Sequence, residues 1–263
     1  MRRLIALLML CALPVMAQDA LPLWMVLDVV ADVSYDYLTL NDFSSYANDG
    51  TCTSTNILSY DETTKWSGDF NGSTDEIEVA DHSSLDLSTA LTIVARVRPH
   101  TYADSYVVDK FYDLEGVAGR AWFMRGGAGG EWTINLGNAS GAGLQVDATS
   151  SGYGGANNTE TMIAITWTKT DGPAYFYKDG GTLVSSSGSG TETIYNNSQE
   201  VYLGRSYSGG AHYNGDTYWL GIWGRVLTTN ELNTLAAAGY SASESTVSDT
   251  ELRAFYTMQP EEE

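Results

Sequence analysis

Positive charge is scarce in this sequence: 13 Lys and Arg stand against 33 Asp and Glu, a formal net charge of −20 over 263 residues. A surface that acidic repels phosphate backbones instead of releasing their counterions, so nucleic acid is excluded as a partner and anionic membrane surfaces are disfavoured. Solubility in a salty medium, divalent cation binding and attraction to cationic partners remain. Cysteine is scarce as well, with only Cys11 and Cys52. The apolar run from Leu4 to Met16, broken by Pro14, falls well short of the roughly 20 residues that cross a bilayer. It follows Arg2-Arg3 and ends in Val15-Met16-Ala17 ahead of Gln18, the pattern of a cleavable secretory signal over residues 1–17. A secreted or cell-surface location is therefore expected, without membrane insertion after cleavage. Only Cys52 then remains, so an intrachain disulfide is excluded and stability must come from a packed core. Cys52 reads as a buried small hydrophobe, with an intermolecular bridge as the alternative.

Familiar catalytic signatures are missing too. The three histidines, His82, His100 and His212, lack any metal-ligand spacing. There is no G-x-S-x-G elbow, and the glycine-rich stretches contain no G-K-[ST] of a phosphate loop.

What the sequence does have is turns and alternation. Asn48-Asp49-Gly50, Asn71-Gly72, Gly126-Gly127, Asp171-Gly172, Asp179-Gly180, Gly209-Gly210 and Asn214-Gly215 punctuate short runs of period two. Leu91, Ile93, Ala95 and Val97 alternate with Thr92, Val94, Arg96 and Arg98, a strand with one face on the core and one in solvent. Further strands are expected at 77–79, 121–124, 132–136, 162–168, 174–177, 200–203 and 218–223, with Trp122, Trp132, Trp167, Trp219 and Trp223 in the core. One short helix is expected from about Thr229 to Ala238, capped by Thr228 with Glu231 and stopped by Gly239. Many short strands with glycine-rich turns predict an all-β protein, a sandwich of two antiparallel sheets with that single C-terminal helix.

The run Phe70-Asn71-Gly72-Ser73-Thr74-Asp75-Glu76-Ile77-Glu78-Val79, continuing through Asp81 to Leu87 into the strand that ends at Pro99, resembles the opening of laminin-G-like jelly-roll domains of the concanavalin A-like lectin/glucanase superfamily. Asn41-Asp42-Phe43-Ser44 with Ala47–Thr51 resembles the family's first loop. Ile165-Thr166-Trp167, Tyr177-Lys178-Asp179-Gly180, Tyr202-Leu203-Gly204-Arg205 and Tyr213 through Leu232 follow in the family's order. The resemblance implies a jelly-roll sandwich over residues 35–238. Before it stand the signal and an N-terminal arm or first strand at 18–34; after it, at 239–263, come a Ser-rich connector, a last strand and an acidic tail.

Some relatives hold calcium at one edge of the sandwich. The resemblance places such a site at Asn71, Asp75 and Asp216, although Tyr218 stands near a position where many members carry an acid. Superfamily members that cleave β-glucans need paired carboxylates on one strand. Here only Glu76 and Glu78 share a face, at an early edge strand, so a polysaccharide-cleaving enzyme is the minor alternative and no catalytic residue is assigned. Tyrosines in the expected loops, Tyr102, Tyr106, Tyr112, Tyr153, Tyr207 and Tyr213, suit the apolar C–H faces of sugar rings. The leading expectation is a secreted, non-catalytic, lectin-like module that binds glycan or another surface polymer. The alternative is a structural subunit of an extracellular filament, surface layer or virion appendage, self-assembling through terminal strands. Phe255–Met258 align with Tyr37–Leu40, so pairing of both within one sheet is expected, with donation of one to a neighbouring subunit as the alternative.

Overall fold

The computed structural model describes residues 39–258, apart from 55–56, 62–64, 104, 113–118, 151–155, 180 and 182–183. The expected signal, the arm at 18–34, Tyr37 and Leu38 of the expected opening strand, the acidic tail at 261–263 and Tyr153 lie outside the described residues. Sixteen strands follow in order: β1 (Thr39–Leu40), β2 (Gly50–Cys52), β3 (Leu58–Asp61), β4 (Lys65–Asn71), β5 (Ile77–Val79), β6 (Ala90–Pro99), β7 (Ser105–Phe111), β8 (Arg120–Gly126), β9 (Trp132–Gly137), β10 (Leu144–Ser150), β11 (Thr161–Thr168), β12 (Pro173–Lys178), β13 (Val184–Ser189), β14 (Val201–Leu203), β15 (Asn214–Trp223) and β16 (Leu252–Thr257). The helix α1 (Thr229–Ala238) lies between the last two.

The strands form two antiparallel sheets, as expected. The front sheet runs β1-β2-β5-β14-β7-β8-β9-β10; the back sheet runs β13-β12-β11-β6-β15-β4-β3, with β16 also paired to β15. Leu91, Ile93, Ala95 and Val97 point into the core, and Trp122, Trp132 and Trp167 join them there. Leaving such side chains in water would cost roughly 1.5–3 kcal/mol each, and this burial holds together a described fold whose single thiol, Cys52, is free and buried.

The other face of β6 differs from the expectation of a solvated face. Thr92 and Val94 are buried, because α1 and the segment behind it cover that part of the back sheet. Thr228 caps α1 and Glu231 returns the bond to complete the capping box, while Gly239 ends the helix at φ 62°. Leu232 and Leu235 then pack in one cluster with Val94, Met162, Trp219, Trp223 and Phe255. Trp219 Nε1 donates to the Gly239 carbonyl at 2.9 Å and Tyr177 Oη to Asn233 Oδ1 at 2.6 Å. The Ser-rich connector belongs to this cover: Ala242 and Val247 are buried against the same cluster, so the packed unit runs on to Met258.

The two terminal strands do not pair within one sheet. β1 lies in the front sheet on β2, whereas β16 lies in the back sheet along β15 from Trp219 to Trp223. The segment after β1 meets β16 at an Asp42–Tyr256 bridge, where Phe43 N donates to the Phe255 carbonyl at 2.9 Å and Asp42 Oδ1 accepts from Phe255 N at 2.8 Å; Tyr256 Oη also donates to the Asn48 carbonyl at 2.8 Å. The cause is side-chain apportionment: Ala254, Tyr256 and Met258 fill the core while Phe255 fills the outer cluster, so β16 is buried on both faces of its own sandwich.

Candidate functional site

Among the described residues, no helix lies on the outward face of the front sheet. β7 turns its side chains there by breaking alternation: its ladder with β8 shifts register between Tyr106 and Val108 and again between Asp109 and Phe111. Irregularities of this kind re-aim side chains. Val107 and Val108 both go to the core, while Tyr106, Asp109 and Phe111 face out. On β8, Trp122 and Met124 point inward and Arg120, Phe123 and Arg125 outward. With Asn135, Leu144, Ser206 and Ser208 these outward residues line a cleft of about 330 Å³.

Phe123 is the hub of its aromatic floor, with ring centroids 5.0 Å from Tyr106 and 5.1 Å from Phe111. The Arg125 guanidinium carbon lies 5.5 Å from the Tyr106 centroid and 5.7 Å from that of Phe123. Arg120 Nη1 donates to the Ala142 carbonyl at 2.9 Å, which ties it to the turn before Leu144.

The loop after β14 closes one side. Gly204 starts it at φ 86°, a left-handed conformation, and a Cβ there would fall 2.3 Å from the Phe70 ring, so glycine is required twice over. An Arg205–His212 bridge and a Ser206 N to Ala211 O bond of 2.8 Å hold the loop. Asp109, 2% exposed, fastens it to β7: Oδ2 accepts from Tyr207 N at 2.8 Å and Oδ1 from Phe111 N at 2.6 Å. Burial pushes the Asp109 carboxyl up to about 7, against the two N–H groups and the nearby charge of Arg205.

Of the expected sugar-facing tyrosines, the structure gathers Tyr106, Tyr112 and Tyr207 on this side. Tyr112 and Tyr207 meet edge to face at 4.6 Å, and Tyr207 touches Tyr202 at 5.8 Å. Tyr102 and Tyr213 are corrections: both are buried in the core, Tyr102 edge-on to Trp132 and Tyr213 against Phe70, with its hydroxyl donating to the Asp216 carbonyl. Neither has a ring face to offer a ligand. Phe111, Phe123, Arg120 and Arg125 went unmarked because outward and inward residues of a strand look alike until the partner register is known.

Of the residues expected for calcium, Asn71 and Asp75 bond each other, each side chain accepting from the other's backbone N–H. Asn71 Oδ1 accepts from the backbone N–H groups of Ser73 and Thr74, and Asp75 accepts from Ser54 Oγ and Asn71 N. Asp216 Oδ2 faces Arg98 Nε at 2.6 Å and His100 Nε2 at 3.1 Å. Among the described residues Asp216 groups instead with Asp69 and His100, their ligand atoms within 4.8 Å of one another. Burial, followed by the charge of Asp216, raises the Asp69 carboxyl. Arg98 already supplies a cation at this spot, so the donor set does not fit calcium as it stands.

No curated protein matches the chain. Among solved structures, the CBM40 of a Ruminococcus gnavus IT-sialidase superposes with a TM-score of 0.54 at 14% identity, over 66% of this chain and 96% of that one. The binding domain of botulinum neurotoxin DC, in complex with SialylT, gives 0.52 at 11% identity over 76% and 51%, and that of serotype G gives 0.52 at 16% over 76% and 50%. The chain thus spans about half the length of the toxin binding domains, and at these identities the likeness is one of fold. The model of the concanavalin A-like lectin/glucanases superfamily, in its laminin-G form, matches residues 71–233, and the chain belongs to that family.

Proposed function

We propose that this protein is an exported, non-catalytic glycan-binding domain whose saccharide lies in the cleft of the front sheet, against Tyr106, Phe123 and Phe111. The carrying observation is that this cleft sets the half-exposed ring of Tyr106, over a buried floor of Phe123 and Phe111, beside polar side chains on a rigid sheet, a combination that can cover the C–H face of a sugar and orient its hydroxyls. The fold supports the same reading, since a superposable sialidase module was solved bound to α2,3-sialyllactose. A binding role is favoured over glycan cleavage because hydrolysis takes two cooperating carboxylates. Among the described lining residues the cleft holds one, Asp109, with both oxygens engaged by backbone N–H groups. Glu76 is ion-paired to Arg205 at 2.7 Å. The structural-subunit alternative has less support, because β16 pairs within its own back sheet.

A glycan array on the wild-type protein and on Tyr106→Ala tests this. Specific binding is expected in the wild type, with affinity reduced about tenfold in the variant by loss of the ring face. Absence of any glycan ligand, or binding unchanged in Tyr106→Ala, overturns it.

A further inference from the structure

We infer that the ligand of the front sheet is a saccharide chain, not a single terminal sugar, and that Tyr112 and Tyr207 make its second contact. This deepens the glycan-binding function proposed above and rests on it. The construction of the cleft is repeated beside it. In the cleft, the half-exposed ring of Tyr106 stands against buried Phe123, itself packed on buried Phe111. Beside it, the half-exposed rings of Tyr112 and Tyr207 meet edge to face at 4.6 Å, and Tyr207 is backed at 5.8 Å by buried Tyr202. Tyr202 is itself covered, since the Arg205 guanidinium carbon lies 4.0 Å over its ring.

The two contacts lie at opposite ends of the cleft floor. Tyr106 and Phe111 flank Phe123, and Tyr112 follows Phe111 just past the end of β7. An extended strand from position 106 to position 112 spans roughly 20 Å, which the two register shifts of β7 shorten without closing the gap. One sugar ring cannot reach both contacts; a chain of several can. Ser206 and Ser208, on either side of Tyr207, line the cleft, so hydroxyl groups stand along the path between the rings. The second contact is also fixed before any ligand arrives. Asp109 Oδ2 holds Tyr207 N at 2.8 Å, the Ser206 and Ser208 hydroxyls stand 3.1 Å apart, and Tyr112 N donates to the Gly119 carbonyl at 3.1 Å. A Cβ on Gly119 would fall 2.5 Å from the Tyr112 ring, so glycine there leaves the room the ring occupies. Rings already held in place lose little freedom on binding, and once one end of a chain is bound the other meets its ring at high effective concentration.

Chain length decides the matter: cello-, laminari-, xylo- and chito-oligosaccharides of one to six units are titrated calorimetrically, alongside the glycan array. In a series that binds, affinity is expected to rise tenfold or more from the shortest members to the longest and then to level off. Tyr112→Ala and Tyr207→Ala are each expected to lose that gain, so that long and short members bind alike. Tyr207→Phe, which keeps the ring and its packing, is expected to retain it. Affinity already at its plateau with one or two units overturns this inference and leaves the glycan function standing, as do array hits confined to single terminal sugars while every series fails. A gain that survives in both alanine variants, or that Tyr207→Phe also loses, overturns it as well. Failure of every series and of the whole array removes both proposals.

Discussion

The outward faces of the two sheets solve opposite problems. On the back sheet, Val94, Met162, Trp219, Trp223 and Phe255 would form a large apolar patch, and the chain closes it with α1 and the buried Ala242 and Val247. On the front sheet no helix of the described chain lies over Phe111 and Phe123; neighbouring side chains, Tyr106 and Arg125 among them, bury both rings, and Tyr106 itself stays half-exposed at the cleft. Exposed apolar surface is a hazard that folded domains remove unless it has work to do. The contrast singles out the candidate ligand surface: one sequence hides aromatic residues under a capped helix on one side and, on the other, leaves a cleft where the ring of Tyr106 is half-exposed over a buried aromatic floor.

The largest test of that contrast puts a comparable insult into each face. Leu235→Asp buries an unpaired charge under α1, which costs several kcal/mol, comparable to the total stability of a domain, so the variant is expected to be unfolded or molten. Tyr106→Ala on the front face removes a half-buried ring and is expected to cost about 1 kcal/mol while weakening glycan binding. Chemical denaturation of both proteins checks this. Similar losses from the two substitutions would mean the front aromatics are structural and would remove the argument for an open site.

The same two faces explain what could be read from sequence. α1 was legible because its cap is local: Thr228, Glu231 and Gly239 announce the ends without any knowledge of the partner. The strand at Leu91–Val97 was legible because its alternation is unbroken, and Trp122, Trp132 and Trp167 because their neighbours share that period, whereas Trp219 and Trp223, expected in the core, are buried on the outer face under α1. β7 was not. Ser105-Tyr106-Val107-Val108-Asp109-Lys110-Phe111 has two register shifts against β8, and Lys110, fully buried, reaches Asp81 Oδ1 at 2.6 Å and the Gln199 carbonyl at 3.1 Å. A strand that puts Val107 and Val108 on one side and buries a lysine does not look like a strand, so Tyr106 read as a loop residue. Tyr102 and Tyr213 failed for the converse reason: a tyrosine beside turn residues resembles a ligand-facing one whether its ring points out or in. The site was half legible because tyrosine marks it and its arginines do not mark themselves.

An intermediate effect concerns the part of the back face that α1 leaves open, where Asp69, His100 and Asp216 gather around Arg98. With Arg98 occupying Asp216, calcium is expected to leave the thermal midpoint unchanged, as is a chelator. A ligand bound only to the native state at a hundred times its Kd would add about 2.7 kcal/mol, a shift of several degrees that calorimetry would register. Such a rise, lost in Asp216→Asn or Asp75→Asn, would restore the calcium site implied by the family resemblance and would show that Arg98 yields to a divalent ion.

The smallest effect, and the one that separates the faces most cleanly, is on pH dependence, because each face carries a carboxyl shifted in the opposite sense. Glu231 in the helix cap is lowered from 4.5 to about 2, first by its hydrogen bonds from Arg225 and then by those from Thr228, against the cost of burial. Its contribution is present above pH 4.5 and is lost as pH falls toward 2. Asp109 under the cleft is raised from 3.8 to about 7, so its contribution is present below 3.8 and is lost as pH rises through 7. Thermal midpoints of the wild type, Glu231→Gln and Asp109→Asn across this range, compared as differences, give each face its own signature. Asp109→Asn is expected to flatten the decline between pH 4.5 and 7.5 and to leave the acid limb alone; Glu231→Gln should do the reverse. The asparagine turns an NH₂ toward Tyr207 N or Phe111 N, so its absolute stability falls, and only the change in slope bears on the assignment. A decline as steep in Asp109→Asn as in the wild type would place that titration elsewhere, and the carboxyl under the cleft would then be ionised and hold the loop of Tyr207 at every pH the protein meets.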